Sequence, residues 1–110
     1  MKKILFITDE FNTLKVDKDT SIFFMEEYIK KKDTVYCCEI VDIFLDSEVS
    51  VIAKSVSIQK DILKLNNESL IFNLLDFDII FMRKDPPVNE LYIHALHLLG
   101  LAEKNGANII

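Results

Sequence analysis

The 110 residues suit one small domain, which can bury roughly two thirds of the surface its unfolded chain exposes. Hydrophobic residues make up 50% and mean hydropathy is +0.20, which excludes a disordered chain and suggests that some apolar surface belongs in an interface. A net charge of −5, from 13 Lys and Arg against 18 Asp and Glu, argues against a nucleic-acid partner, and the apolar runs are far too short to make a membrane-spanning chain.

Residues 3–8, KILFIT, form a continuous apolar run that ends at Asp9 and Glu10, the pattern of a strand buried on both faces and therefore parallel. A polar loop follows, and TSIFFMEEYIKKK then predicts a helix with Ile22, Phe24, Met25, Tyr28 and Ile29 on its core side. Asp19 or Thr20 is the expected N-cap, and the lysines at 30 to 32 suit the C-terminal end of the dipole. Residues 34–45, TVYCCEIVDIFL, read as a second strand, which completes a right-handed βαβ unit. Alternation from 49 to 65 predicts antiparallel or edge strands inserted on the parallel core, and NNESLIFNLLDF reads as a short helix or an irregular connection.

Residues 78–83, DIIFMR, are the third buried strand. The segment VNELYIHALHLLGLAEKNG is a helix that starts behind Pro86 and Pro87 and stops at Gly106. Its core stripe is expected at Leu91, Tyr92, Ala95, Leu96, Leu98, Leu99 and Ala102, with Ile93 and Leu101 on the polar arc. The closing ANII begins like another strand. The whole is an α/β domain of three layers, a mainly parallel sheet flanked by helices with a small antiparallel β insertion.

Cys37 and Cys38 are adjacent, so their side chains should point to opposite faces of a strand and form no bridge with each other. With no signal segment ahead of the chain, a reducing cytoplasm is the expected location. Nothing near Cys37 in sequence supplies a base, so it reads as a structural thiol. Glu90, His94 and His97 share a helix face at ligand-compatible spacing, but no fourth group accompanies them and no metal site is expected. Only Gly100 and Gly106 occur, which excludes a glycine-rich phosphate cradle.

The charged loops DEFNTLKVDKDTS (residues 9–21) and RKDPP (83–87) both follow carboxyl ends of predicted parallel strands, where such sheets line a ligand crevice. Arg83 offers a planar fork for a carboxylate, and the helix start around Thr20 and Ser21 offers free amides to an anion. Asp19 and Asp85 suit an ammonium group or the orientation of Arg83. The alternative is a stiff surface turn in which Arg83 and Asp85 merely pair with each other.

The run MRKDPP, followed by an acidic and apolar helix ending AEKNG, resembles the N-terminal domain of prokaryotic-type glutathione synthetase. A second match lies in VDKDTSIFFMEEYIKKKDTVYCCEIVDIFL, and the resemblance covers essentially residues 1–110, most weakly 48–76. It implies a pre-ATP-grasp, Rossmann-like domain that precedes an ATP-grasp module. Together they would use ATP and Mg to join γ-glutamylcysteine to glycine through an acyl phosphate, in a homo-oligomer. It also implies that Asp19, Thr20, Ser21, Arg83, Lys84 and Asp85 face the peptide substrate or the partner domain, with Pro86 and Pro87 as a structural turn. The ATP-grasp residues have no counterpart here, so these 110 residues alone are expected to bind no cofactor and to be inactive. A competing expectation is a non-catalytic domain of the same fold that self-associates through Ile93 and Leu101. A reading frame continuing Asn-Lys-Pro after Ile110 would favour the ligase.

Overall fold

The computed structural model describes residues 1–14, 20–84 and 88–110. Its elements are β1 (Lys3–Ile7), α1 (Thr20–Lys30), β2 (Thr34–Cys38), β3 (Ile43–Asp46), β4 (Glu48–Gln59), β5 (Ile62–Asn73), β6 (Ile79–Met82) and α2 (Glu90–Lys104). Short 3-10 turns occupy Phe11–Thr13, Ile40–Asp42 and Leu74–Asp76.

The first strand is the axis of the fold because Ile4, Leu5, Phe6 and Ile7 are all fully buried. It pairs in parallel with β2 on one side and β6 on the other, Phe6 lying opposite both Cys37 and Phe81. Successive side chains of a strand alternate between faces. Ile4 and Phe6 therefore join the core under α1 with Ile22 and Met25, while Leu5 and Ile7 join the core under α2 with Leu98 and Leu99. Cys37 and Cys38 divide between these two cores as their adjacency requires. This is the expected α/β architecture in three layers. The C-terminal residues extend it, since Ile80 N–H donates to Asn108 O and Ile110 N–H to Ile80 O, both at 2.8 Å.

The sheet runs β3-β4-β2-β1-β6, with β5 on the other edge of β4. It is mixed, because β4 meets β2, β3 and β5 antiparallel. The insertion is longer than its sequence suggests, since β4 and β5 are 12 residues each. Their turn is Lys60–Asp61, both with positive φ (52° and 64°), a conformation matching the twist of a hairpin. A register shift in the ladder with β5 falls between Lys54 and Val56, within the stretch of β4 that pairs with β2.

Two segments differ from expectation. Residues 34–45 are not one strand: β2 ends at Cys38 and the chain turns through Ile40–Asp42 into β3. The cause is a reciprocal cap in which Glu39 N–H donates to Asp42 Oδ2 at 2.8 Å and the Glu39 carboxylate accepts the Asp42 N–H. Residues 66–73 continue β5 instead of forming a helix, held by pairing such as Ile71 to Ile52 and by Asn66 Nδ2 donating to Ser55 Oγ at 2.6 Å. Only Leu74–Asp76 is helical in that stretch.

α1 buries Ile22 and Met25 and half-buries Tyr28 and Ile29. Phe24 is 37% exposed, yet its ring stacks on Phe81 at 6.4 Å. The helix already includes Thr20, which is therefore not its cap, and Asp19 lies outside the described residues. α2 is capped by Asn89, whose side chain accepts from Tyr92 N–H at 3.0 Å. It stops as predicted: Gly106 has φ +112°, with Ala107 N–H donating to Ala102 O and Gly106 N–H to Glu103 O. The buried residues are Ala95, Leu98, Leu99 and Ala102, with Tyr92 packed beside them. Leu91 and Leu96 are instead exposed by 56% and 42%, because Leu91 precedes the first fully buried turn and Leu96 sits at the margin of the stripe.

Leu98→Ala should accordingly cost about 2–4 kcal/mol in denaturant unfolding, and Leu96→Ala less than about 1 kcal/mol. Equal losses would mean that α2 buries a different face.

Candidate functional site

Parallel pairing of β1 with β6 places Ile7 opposite Met82, and Arg83 N–H donates to Ile7 O at 2.8 Å. Thr8 N–H donates to Cys38 O at 2.9 Å, so β2 ends at the same level. The residues after β1, β2 and β6 thus leave the sheet along one edge, the carboxyl edge where open α/β sheets take their ligands.

Charge is ordered along that edge. Lys84 Nζ lies 2.6 Å from Asp9 Oδ1 in a partly buried ion pair that ties the exit of β6 to the exit of β1. Arg83 is exposed, with its guanidinium 6.0 Å from the Phe24 ring and 5.8 Å from the Phe81 ring. Stacking on aromatic faces steadies a guanidinium while its N–H groups stay available. Because Phe24 belongs to α1, Arg83 also sits beside the start of that helix, where Thr20 is exposed and Ser21 is only 3% exposed. Arg83, Lys84 and the beginning of α1 are therefore brought together. Asp19, Asp85, Pro86 and Pro87 lie outside the described residues, and with them the Arg83–Asp85 pair and the proline turn.

Beside the ion pair an open groove of about 370 Å³ runs under the Phe11–Thr13 turn. Asp9 and Glu10 line it from the exit of β1, Glu39 and Asp42 from the exit of β2 and the turn that follows, and Lys54 and Ser69 from the inserted hairpin. The Glu39 carboxyl is raised above its ordinary value by partial burial first, then by repulsion from Asp42, Glu10 and Asp9, with Lys84 opposing. Sequence reasoning did not find the Asp9 partner of Lys84 or this groove. One signal was present, since Lys54 is the only charged residue in the run VSVIAKSVSI.

The thiols at the floor of the groove are inert. Burial pushes Cys37 up to about 11, despite a 3.3 Å contact with Thr8 Oγ1, and pushes Cys38 well above its ordinary value. A nucleophilic cysteine requires the opposite shift. His94, His97 and Glu90 are exposed on α2, and among the described residues no three His, Cys, Asp or Glu are placed to hold a metal ion. The two glycines both lie at the end of α2, where neither can cradle a phosphate. These donors do not fit ATP or magnesium, and no step through either is assigned to these residues. No helix among the described residues is long and apolar enough to cross a membrane.

A three-layer α/β domain with a charged crevice at its carboxyl edge is the class of protein these features define. Residues 2–110 match the family described as prokaryotic glutathione synthetase, N-terminal domain, and the chain belongs to that family. It is 36% identical over 108 residues to the glutathione synthetase of Prochlorococcus marinus subsp. pastoris, covering 98% of this chain and 35% of that protein. The glutathione synthetase of Buchnera aphidicola subsp. Baizongia pistaciae is 32% identical over 112 residues, covering 94% and 33% respectively. That of Ralstonia nicotianae is 30% identical over 110 residues, covering 97% and 34%. The chain thus spans about a third of the length of these relatives and matches their N-terminal part.

In the folded state both thiols titrate above the unfolded value. Stability should therefore be constant with respect to them below that value and fall as pH rises from 9.0 through about 11. At pH 7.5 the native thiols should react with an aromatic disulfide reagent at least roughly a hundredfold more slowly than in denaturant. Rapid labelling of the native chain would contradict the inert assignment.

Proposed function

We propose that residues 1–110 are the substrate domain at the amino end of an ATP-dependent ligase that joins γ-glutamylcysteine to glycine, and that they form one wall of its cleft. The observation carrying this reading is the convergence of Arg83, the Lys84–Asp9 pair and the start of α1 on one sheet edge, in a chain of this family. Arg83 has the planar fork for a substrate carboxylate. Lys84, steered by Asp9, adds positive charge beside it, and the exposed Thr20 marks the helix end nearest to both. We assign Asp19, Ser21 and Asp85 to the same set of substrate-facing or domain-facing residues. ATP and magnesium are held by an ATP-grasp module elsewhere in the parent enzyme, which works in the cytoplasm, where two unbridged cysteines stay reduced.

A specific observation also favours self-association. Val88, Leu91, Ile93, Leu96 and Leu101 are each more than 40% exposed, and a Cβ added to Gly100 would meet nothing within 4 Å. Ile93, Leu96 and Leu101 lie on the arc of α2 turned away from its buried residues, and exposed apolar surface of this kind marks a contact face. We assign it to a homo-oligomer of the ligase, or of the domain alone if it serves as a non-catalytic interaction module. Sedimentation of Leu96→Ala should show weaker association, and an unchanged mass would remove α2 from the interface.

Arg83→Ala in the full-length ligase should lower kcat/KM for γ-glutamylcysteine roughly ten- to a hundredfold, the worth of a charge-assisted hydrogen bond. Residues 1–110 alone should show no ATP- and glycine-dependent ligation. Unchanged kinetics in a folded Arg83→Ala enzyme would leave Arg83 a purely structural residue, and turnover by residues 1–110 would overturn their assignment as one wall.

A further inference from the structure

Lys54 is a half-buried lysine in the middle of β4, and its ladder neighbours, Cys37 on β2 and Ser69 on β5, carry no charge. Among the described residues no carboxylate forms an ion pair with it. Yet four carboxylates, those of Asp9, Glu10, Glu39 and Asp42, line the same groove. Lys84 engages Asp9, and the turn at Ile40–Asp42 engages Asp42 through the Glu39 amide. On its other side Lys54 borders a second open recess of about 360 Å³, which shares Phe11, Asn12 and Leu65 with the first and adds Lys64. The two recesses make one groove, acidic toward the exits of β1 and β2 and basic toward the hairpin, with Lys54 at the boundary.

We infer that this groove seats a zwitterionic α-amino-acid head group, its carboxylate on Lys54 and its ammonium against the acidic wall formed by Asp9, Glu10 and Glu39. A dianion would be repelled by that wall, and a polycation by Lys54 and Lys64. A ligand bearing both signs on one carbon complements the groove at both ends. The Glu39 carboxyl is raised by partial burial first and then by repulsion from Asp42, Glu10 and Asp9, and an arriving ammonium relieves that second contribution.

The inference rests on the reading of this domain as a wall of the ligase cleft and names the part of the substrate that the wall receives. Two zwitterions are available to such an enzyme, the γ-glutamyl end of the dipeptide and free glycine. Glycine must give up its ammonium proton before its nitrogen can attack, and an acidic wall that stabilises an ammonium opposes that loss. The γ-glutamyl head takes no part in bond formation, so its ammonium stays charged throughout. The groove therefore suits γ-glutamylcysteine, bound with its tail directed along the edge toward Lys84 and Arg83.

The test combines an amide NMR titration of residues 1–110 with kinetics of the full-length ligase. γ-Glutamylcysteine should shift the amides of Asp9, Lys54 and Ser69. N-acetylation of that ligand, which removes the ammonium, and Lys54→Met should each weaken the titration roughly tenfold or more. Lys54→Arg, which keeps the cation, should retain most of it, and glycine should leave these amides unmoved. In the full-length enzyme Lys54→Met should raise KM for γ-glutamylcysteine with KM for ATP unchanged. Equal titration by Lys54→Met and the parent chain, or insensitivity to N-acetylation, would overturn the inference, and shifts produced by glycine would overturn the γ-glutamyl assignment. If Arg83→Ala impairs ligation while Lys54→Met leaves KM unchanged, only the groove assignment fails. If neither matters, the cleft-wall reading fails with it.

Discussion

The parallel ladder on both sides of β1 is the constraint on which the rest depends. A strand whose four residues Ile4–Ile7 are wholly buried has to be covered on both faces, which requires α1 on one side and α2 on the other. Because β2 and β6 run the same way as β1, their carboxyl ends emerge together, and the chain is committed to presenting Asp9, Glu39 and Arg83 along one edge. Antiparallel pairing on either side would have sent one of these exits to the far end of the sheet. The chemistry of the edge is thus a consequence of topology before it is a matter of individual side chains.

At the edge itself, order comes from contacts that join separate elements. The Lys84–Asp9 pair connects the exits of β6 and β1, and the Phe24–Phe81 stack connects α1 to β6 beneath Arg83. Phe6 stacks on Phe81 at 4.8 Å, so the aromatic column under Arg83 continues into the core. A surface ion pair alone holds little, typically less than about 1 kcal/mol. Here it is backed by the Arg83 N–H to Ile7 O bond, which fixes the strand exit independently of any side chain. The exposed arc of α2 lies on the layer opposite α1, so a contact there can coexist with the use of the edge.

Legibility of the fold in the sequence follows how local each determinant is. Ile4–Ile7, Ile79–Met82 and the two helices were readable because burial on both faces or on one helical face leaves a direct mark on hydropathy. The end of β2 was not readable: EIVDIFL keeps β-branched residues straight through the turn, and the break comes from the Glu39–Asp42 exchange of side-chain and backbone bonds. β5 was concealed by Asn66, Asn67 and Glu68, polar residues that earn their place in a strand only through a partner strand, and by a hairpin turn made of Lys60 and Asp61 where glycine or asparagine would have signalled it. On α2, Leu91 and Leu96 show that periodicity names a face but not how far the sheet extends beneath it. For the site, Arg83 and Lys84 were visible as charges at a strand end. Their partners Asp9 and Phe24 were not, since pairing across the sheet has no signature in spacing. Lys54 is a lone charge in its apolar run, but its meaning depends on which residues β2 and β5 bring around it.

The central claim is that the carboxyl edge of this sheet faces the substrate. A crystal structure of the full-length ligase with γ-glutamylcysteine and a non-hydrolysable ATP analogue tests it most directly. The account predicts the dipeptide lodged against the edge between Arg83 and the groove at Lys54, with the nucleotide held by the remainder of the enzyme. A dipeptide enclosed wholly by that remainder, with Arg83 and Lys84 turned to solvent, would contradict it.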